Sequence, residues 1–132
     1  MNPRPLVYVD TSALGALLVE QPESIAVQEW LDETEAELVS SDLLETELRR
    51  LAVRADLDQA DVTRLLDGVA LASMDRAVYR SAGLLPGPHL RTLDALHLET
   101  ALRLDAAAIL TYDRRLGEAA RAIGVQVIAP GR

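Results

Sequence analysis

The sequence predicts an α/β domain of three layers, α/β/α, with a central parallel sheet of about five strands. Short apolar runs alternate with longer helix-like segments along the whole chain, the pattern of strand–helix–strand units whose strands run parallel. Those runs lack strict apolar–polar alternation, as strands buried on both faces do. At 132 residues, 49% of them apolar, the chain is expected to form one domain, 1–132, with its own core.

The elements follow in order. Residues 6–10 read as a short buried strand and 12–19 as a helix apolar on nearly all sides. Pro22 and Ser24 start a second helix that reaches about residue 34, and 37–40 is a second strand. Ser41 or Asp42 caps a third helix to about residue 55, and 58–68 is a fourth, stopped by Gly68. Residues 69–73 form a short strand and 75–82 a helix, before a Gly/Pro loop at 83–88. Thr92 to Leu104 is the clearest helix; 107–111 is a strand, 114–123 a helix ended by Gly124, and 125–128 a last strand. There is no repeat, linker or low-complexity segment.

Composition removes several chemistries. The absence of cysteine excludes disulfides, thiolate zinc sites and a cysteine nucleophile. The apolar runs are too short to span a bilayer, so a soluble cytoplasmic protein with no membrane partner is expected. A net charge of −8 argues against a general nucleic-acid coat. Every one of the thirteen cations is arginine. The missing lysine removes P-loop nucleotide hydrolysis, receiver domains and haloacid-dehalogenase-type phosphatases; the last also needs an acid where Ser12 stands.

Four carboxylates stand where packing gives little reason for them. Asp10 closes Leu6-Val7-Tyr8-Val9, and as a helix cap it is redundant with Thr11 and Ser12. Asp94 opens the helix at 92–104, apolar almost all round with Glu99 and Arg103 as its solvent edge; Thr92 offers another cap. Asp113 follows the run 106–110 and reads equally as a turn or cap residue. Glu47 shares a helix side with Leu43, Leu44 and Leu51, where a carboxylate is costly without a partner, whereas Glu45 pairs ordinarily with Arg49. His97 reads as a core or supporting residue rather than a ligand, and His89 carries no specific signal. The hydroxyls of Ser12 and Thr111 flank strand ends, where they either orient a water at an ion or cap helices.

Such positions converge on one edge of a parallel sheet. Gathered carboxylates repel, and a divalent cation is the simplest neutraliser. Oxygen-only ligation fits Mg²⁺ or Mn²⁺, one ion or two, and points to metal-dependent phosphodiester chemistry.

Over essentially its whole length the chain resembles the PIN domain, specifically the VapC-type toxins of prokaryotic toxin–antitoxin pairs. The resemblance is carried by Val9-Asp10-Thr11-Ser12-Ala13-Leu14, Glu47-Leu48-Arg49-Arg50, Leu93-Asp94-Ala95-Leu96-His97-Leu98-Glu99-Thr100-Ala101-Leu102 and Leu110-Thr111-Tyr112-Asp113-Arg114-Arg115-Leu116, in that order and spacing. It implies that Asp10, Glu47, Asp94 and Asp113 form a catalytic metal pocket, with Ser12 and Thr111 at positions where the family often keeps a hydroxyl. It further implies a Mg²⁺- or Mn²⁺-dependent endoribonuclease acting on structured RNA, chiefly transfer or ribosomal RNA, and usually a homodimer. The implied partner is a VapB-type antitoxin that covers the active site and carries the pair to operator DNA. Leu116 departs from the aromatic common among relatives, which concerns packing. The alternative is a catalytically silent PIN-like binding or regulatory module.

Overall fold

A computed structural model describes residues 3–132. The chain runs through β1 (Leu6–Val9), α1 (Thr11–Leu18), α2 (Ser24–Glu33), β2 (Glu37–Ser41), α3 (Leu43–Ala55) and α4 (Gln59–Leu66). It continues through β3 (Ala70–Ala72), α5 (Arg76–Ala82), α6 (Thr92–Arg103), β4 (Ala108–Leu110), α7 (Arg114–Ala122) and β5 (Gln126–Ile128). All strand pairings are parallel, in the spatial order β3-β2-β1-β4-β5. The chain steps outward from β1 to β2 and β3, then returns to the other side of β1 for β4 and β5. Connections on the two sides of β1 therefore leave in opposite directions, and a crevice opens beyond the carboxyl ends of β1 and β4.

Side-chain alternation assigns the layers. Val7 and Val9 of β1, with Ala108 and Leu110 of β4, pack on Leu14, Leu44 and Leu48 of α1 and α3. Tyr8 and Ile109 point the other way, onto Leu98 of α6 and Leu116 of α7. Each of these large apolar side chains, fully removed from water, contributes roughly 1.5–3 kcal/mol before entropy is counted. Gly15 lets α1 lie against α3, since a Cβ there would meet Leu51 Cδ2 at 3.0 Å. The result is the predicted three-layer sandwich.

A third cluster explains why α6 is apolar almost all round: Val78 and Ala82 of α5 cover Ala95 and Leu96 on its far side. This corrects the expected solvent edge. Glu99 is only 8% exposed. Its Oε2 accepts from Arg103 Nε at 2.7 Å, and Arg103 also donates to Ala77 O and Ser81 Oγ of α5. Arg103 does lie on the outward side of α6, as expected, together with Thr92, Leu93 and Leu102.

Helix starts also differ from expectation at one place. Asp58 and Asp75 cap α4 and α5 through their side chains, whereas Asp42 stands at the N-cap position of α3 without a side-chain capping bond. Ser41 is a strand residue whose buried Oγ has no hydrogen-bond partner. The fourth helix ends at Leu66, ahead of Gly68. Among the described residues no helix is long and apolar enough to cross a membrane.

Candidate active site

Asp10 follows β1 and is still held by the sheet, its N–H donating to Leu110 O at 3.2 Å. It occupies the N-cap position of α1, yet its side chain makes no capping bond, so the bland explanation for an acid here falls away. Instead, Oδ1 accepts from Ser12 Oγ at 2.8 Å. Ser12 has one proton and gives it to Asp10, so Thr111 is the donor in the 3.2 Å contact between their hydroxyls. Ser12 Oγ also accepts from Tyr112 N–H at 2.8 Å, and Thr111 Oγ1 from Asp113 N–H at 2.9 Å. A continuous run of bonds thus ties the ends of β1 and β4 together beneath Asp10. Burial pushes the Asp10 carboxyl up to about 6 despite the bond from Ser12, the charge of His97 and the nearby Thr111 hydroxyl; Asp113 adds to the rise.

Glu47 enters from α3 with the partner that its leucine neighbours require. Its Oε1 accepts from Thr11 Oγ1 at 2.9 Å and from His97 Nε2 at 2.5 Å. His97 Nδ1 in turn lies 2.7 Å from the Tyr8 hydroxyl, which stands edge-on to the imidazole within the core. Burial raises the Glu47 carboxyl, but the bonds from His97 and Thr11 and the His97 charge outweigh it and hold the group below its usual range. Burial also drives the Tyr8 phenol up to about 12, so it stays neutral.

Asp94 and Asp113 complete the rim. Asp94 is half-buried in the first turn of α6 and does not cap it; Arg91 holds that position, and Thr92 lies inside the helix. Burial first, then the charges of Asp113 and Glu47, push the Asp94 carboxyl up, with His97 and Arg91 opposing. Asp113 does cap α7, its Oδ1 accepting from Leu116 N–H at 3.1 Å. The cap that sequence reasoning offered for Asp113 is thus present, and its other oxygen makes no hydrogen bond among the described residues.

Asp113 thus acts by charge on both Asp10 and Asp94, and Glu47 acts on Asp94, at one mouth of the sheet. Among the described residues, no three His, Asp or Glu side chains already stand arranged to hold an ion. The donor set itself, all carboxylate oxygen with Asp10 and Asp94 pushed up by burial and like charge, suits a hard divalent cation that would relieve the repulsion. Sequence reasoning missed Tyr8 and Thr11 as partners of the site. The one available signal was a hydroxyl-bearing aromatic inside an otherwise aliphatic strand.

Fold and cleft together define a parallel α/β domain with an acidic mouth at the strand-order reversal. A PIN domain family model matches residues 7–122, and the chain belongs to this family as a VapC-type member. It is 42% identical over 132 residues to the protein named Ribonuclease VapC46 of Mycobacterium tuberculosis, covering 94% of this chain and 97% of that one. It shares its fold with the crystal structure of M. tuberculosis VapC20, described as a sarcin–ricin loop cleaving toxin. There the TM-score is 0.77 at 16% identity, over 94% of this chain and 99% of that one. A toxin–antitoxin complex from Klebsiella pneumoniae matches with a TM-score of 0.73 at 18% identity, over 94% and 97% of the two chains.

Proposed function

We propose that this protein is a Mg²⁺- or Mn²⁺-dependent endoribonuclease that acts as the toxin of a toxin–antitoxin pair. The carrying observation is Asp10: a buried carboxylate, relieved of capping duty, facing the charges of Asp113 and His97. In this reading Asp10, Glu47, Asp94 and Asp113 hold the ion, while Ser12 and Thr111 fix Asp10. The ion supplies charge for the phosphoryl oxygens and a lowered pKa for the attacking water. The side chain of Asp94 makes no hydrogen bond among the described residues, so one of its oxygens would be free to hold the ion and the other to accept the proton of the attacking water.

The substrate is RNA, a choice supported by the ribonuclease name of the 42%-identical relative; in this reading it is structured RNA, transfer or ribosomal. A chain of net charge −8 needs local cations to meet phosphate. Arg91 beside Asp94, and Arg114 and Arg115 beside Asp113, supply them, the latter two lining a hollow with His89. The partner is a VapB-type antitoxin that closes the cleft and brings operator DNA to the pair; the toxin itself is a homodimer in this reading.

The experiment is cleavage of total cellular RNA by purified protein with Mg²⁺, with Mn²⁺ and with EDTA. Metal-dependent fragments that vanish with EDTA and with Asp10→Asn are expected. RNA left intact by soluble wild-type protein under all three conditions overturns the nuclease reading in favour of a silent binding module.

A further inference from the structure

Within that nuclease reading, one group of residues remains without a role. Tyr8, His97 and Thr11 are neither proposed ligands nor general acids, yet they form a continuous hydrogen-bonded chain that ends on Glu47. Tyr8 is completely buried and His97 is 2% exposed. The chain joins three elements: β1 through Tyr8, α6 through His97, and α3 through Glu47. It crosses the sheet layer from the core to the rim of the cleft.

Its geometry is selective. Both protein bonds to the Glu47 carboxylate, from Thr11 Oγ1 at 2.9 Å and from His97 Nε2 at 2.5 Å, fall on Oε1. A carboxylate only accepts, so Nε2 carries its proton toward Glu47. The Tyr8 hydroxyl, 2.7 Å from Nδ1, can accept as well as donate and so holds the ring in either protonation state. The ring plane is fixed a second time by the edge-on Tyr8 contact, with centroids 5.6 Å apart at 71°. Two donors on one oxygen fix the rotation of the carboxylate and leave the other oxygen, Oε2, without a hydrogen-bond partner among the described residues.

We propose that His97, gripped by Tyr8, is a positioning residue: it locks Glu47 by Oε1 so that Oε2 is presented to the divalent cation. The residue touches neither the ion nor the RNA. Partners of this kind, one bond behind a ligand, orient it, and their loss weakens metal affinity by roughly ten- to a hundredfold. His97 stands on the same helix as Asp94, one turn on. Any shift of α6 therefore moves Asp94 and, through His97, Glu47 together. That coupling keeps two ligands from different helices in step.

Two substitutions of similar size separate this role from simple core filling. In His97→Gln the side-chain amide reaches the place of Nε2 and keeps a donor on Glu47. In His97→Asn it reaches only the place of Nδ1, keeping the Tyr8 contact and abandoning Glu47. Mn²⁺ is titrated into metal-free wild type and both variants by calorimetry, and each metal-free melting temperature is recorded. Both variants are expected to melt below wild type. His97→Gln is expected to bind Mn²⁺ within about threefold of wild type, and His97→Asn roughly ten- to a hundredfold more weakly. Equal affinities in the two variants, or affinities that simply follow their melting temperatures, overturn the proposal.

Tyr8→Phe, which removes a single hydroxyl from a buried ring, is the third variant and is read in the same way should His97→Asn not fold. It is expected to weaken Mn²⁺ binding, and wild-type affinity there would contradict the proposal. Wild-type protein that binds no Mn²⁺ at millimolar concentration defeats the nuclease reading itself, a different outcome from defeat of the His97 role alone.

Discussion

The two halves of the cleft are built differently. On one side, Asp10 and Glu47 are held before any ion arrives: Asp10 by Ser12 and through it Thr111, Glu47 by Thr11 and His97. On the other, the Asp94 side chain has no hydrogen bond among the described residues, and the Asp113 side chain commits only Oδ1, to the start of α7. In the held half Asp10 follows β1, one of the most buried strands of the sheet, and Glu47 stands on α3; in the free half Asp94 lies in the first turn of α6 and Asp113 caps α7. In the proposed reading the held pair supplies fixed charge and the free pair closes on cation and substrate. This division also accounts for four acids sharing one mouth without three of them forming a ready-made cage.

The sharpest way to break the comparison is Asp10→Asn. Asparagine keeps an acceptor for Ser12 but removes the charge, so RNA cleavage is expected to fall by roughly 10²- to 10³-fold, the scale for losing one group that meets transition-state charge. Near-wild-type cleavage would take Asp10 out of the held half.

The same substitution is expected to stabilise the metal-free protein. The Asp10 carboxyl rises from an ordinary 3.8 to about 6 on folding, so the folded form binds the extra proton between those values. Stability from this group is complete below about pH 4 and is lost as pH climbs through 6, a difference of about 3 kcal/mol at neutral pH. Wild type and Asp10→Asn should therefore have similar denaturation midpoints near pH 4 and separate by pH 7, with the variant more stable. Glu47, held low, contributes in the opposite sense in both proteins and drops out of the difference. Parallel curves from pH 4 to 7 would contradict the burial account.

Ser12→Ala tests the tie beneath Asp10. It leaves Tyr112 N–H and Asp10 Oδ1 without their partner, at a cost of about 1–3 kcal/mol. Urea denaturation checks this, and a change within error would show that water replaces the hydroxyl freely. On the free half, Asp94→Asn removes a carboxyl that burial and the charges of Asp113 and Glu47 push up, so it should raise metal-free stability at neutral pH and should reduce the stabilisation given by millimolar Mn²⁺. The smallest effect is expected at the rim: Arg114 and Glu118, 3.0 Å apart, are both largely exposed, so Glu118→Ala should shift stability by less than about 0.5 kcal/mol.

The held and free halves were not equally legible in the sequence. The strand ends were, because an acid closing an aliphatic run such as Leu6 to Val9 has no packing reason to be there. The layer arrangement followed from the same runs. The partners of Glu47 were not, since His97 lies 50 positions away and Tyr8 and His97 are 89 apart; helical periodicity says nothing across such separations. Glu47 could be flagged only as an acid in need of something. Glu99 was misplaced for a related reason, while Arg103 is exposed as expected. Their i,i+4 spacing looks like an exposed pair, and only the packing of α5 against α6 turns Glu99 inward. Local rules give the edges of an element, and tertiary contact decides which edge meets water.

The central claim is that carboxylates from four separate elements serve one ion. Calorimetric titration of Mn²⁺ into the wild-type protein and into Asp10→Asn, Glu47→Gln, Asp94→Asn and Asp113→Asn tests it directly. The account expects saturable binding in wild type and weaker binding in all four variants. Undiminished affinity in every variant, or no binding by a folded wild type, would contradict it.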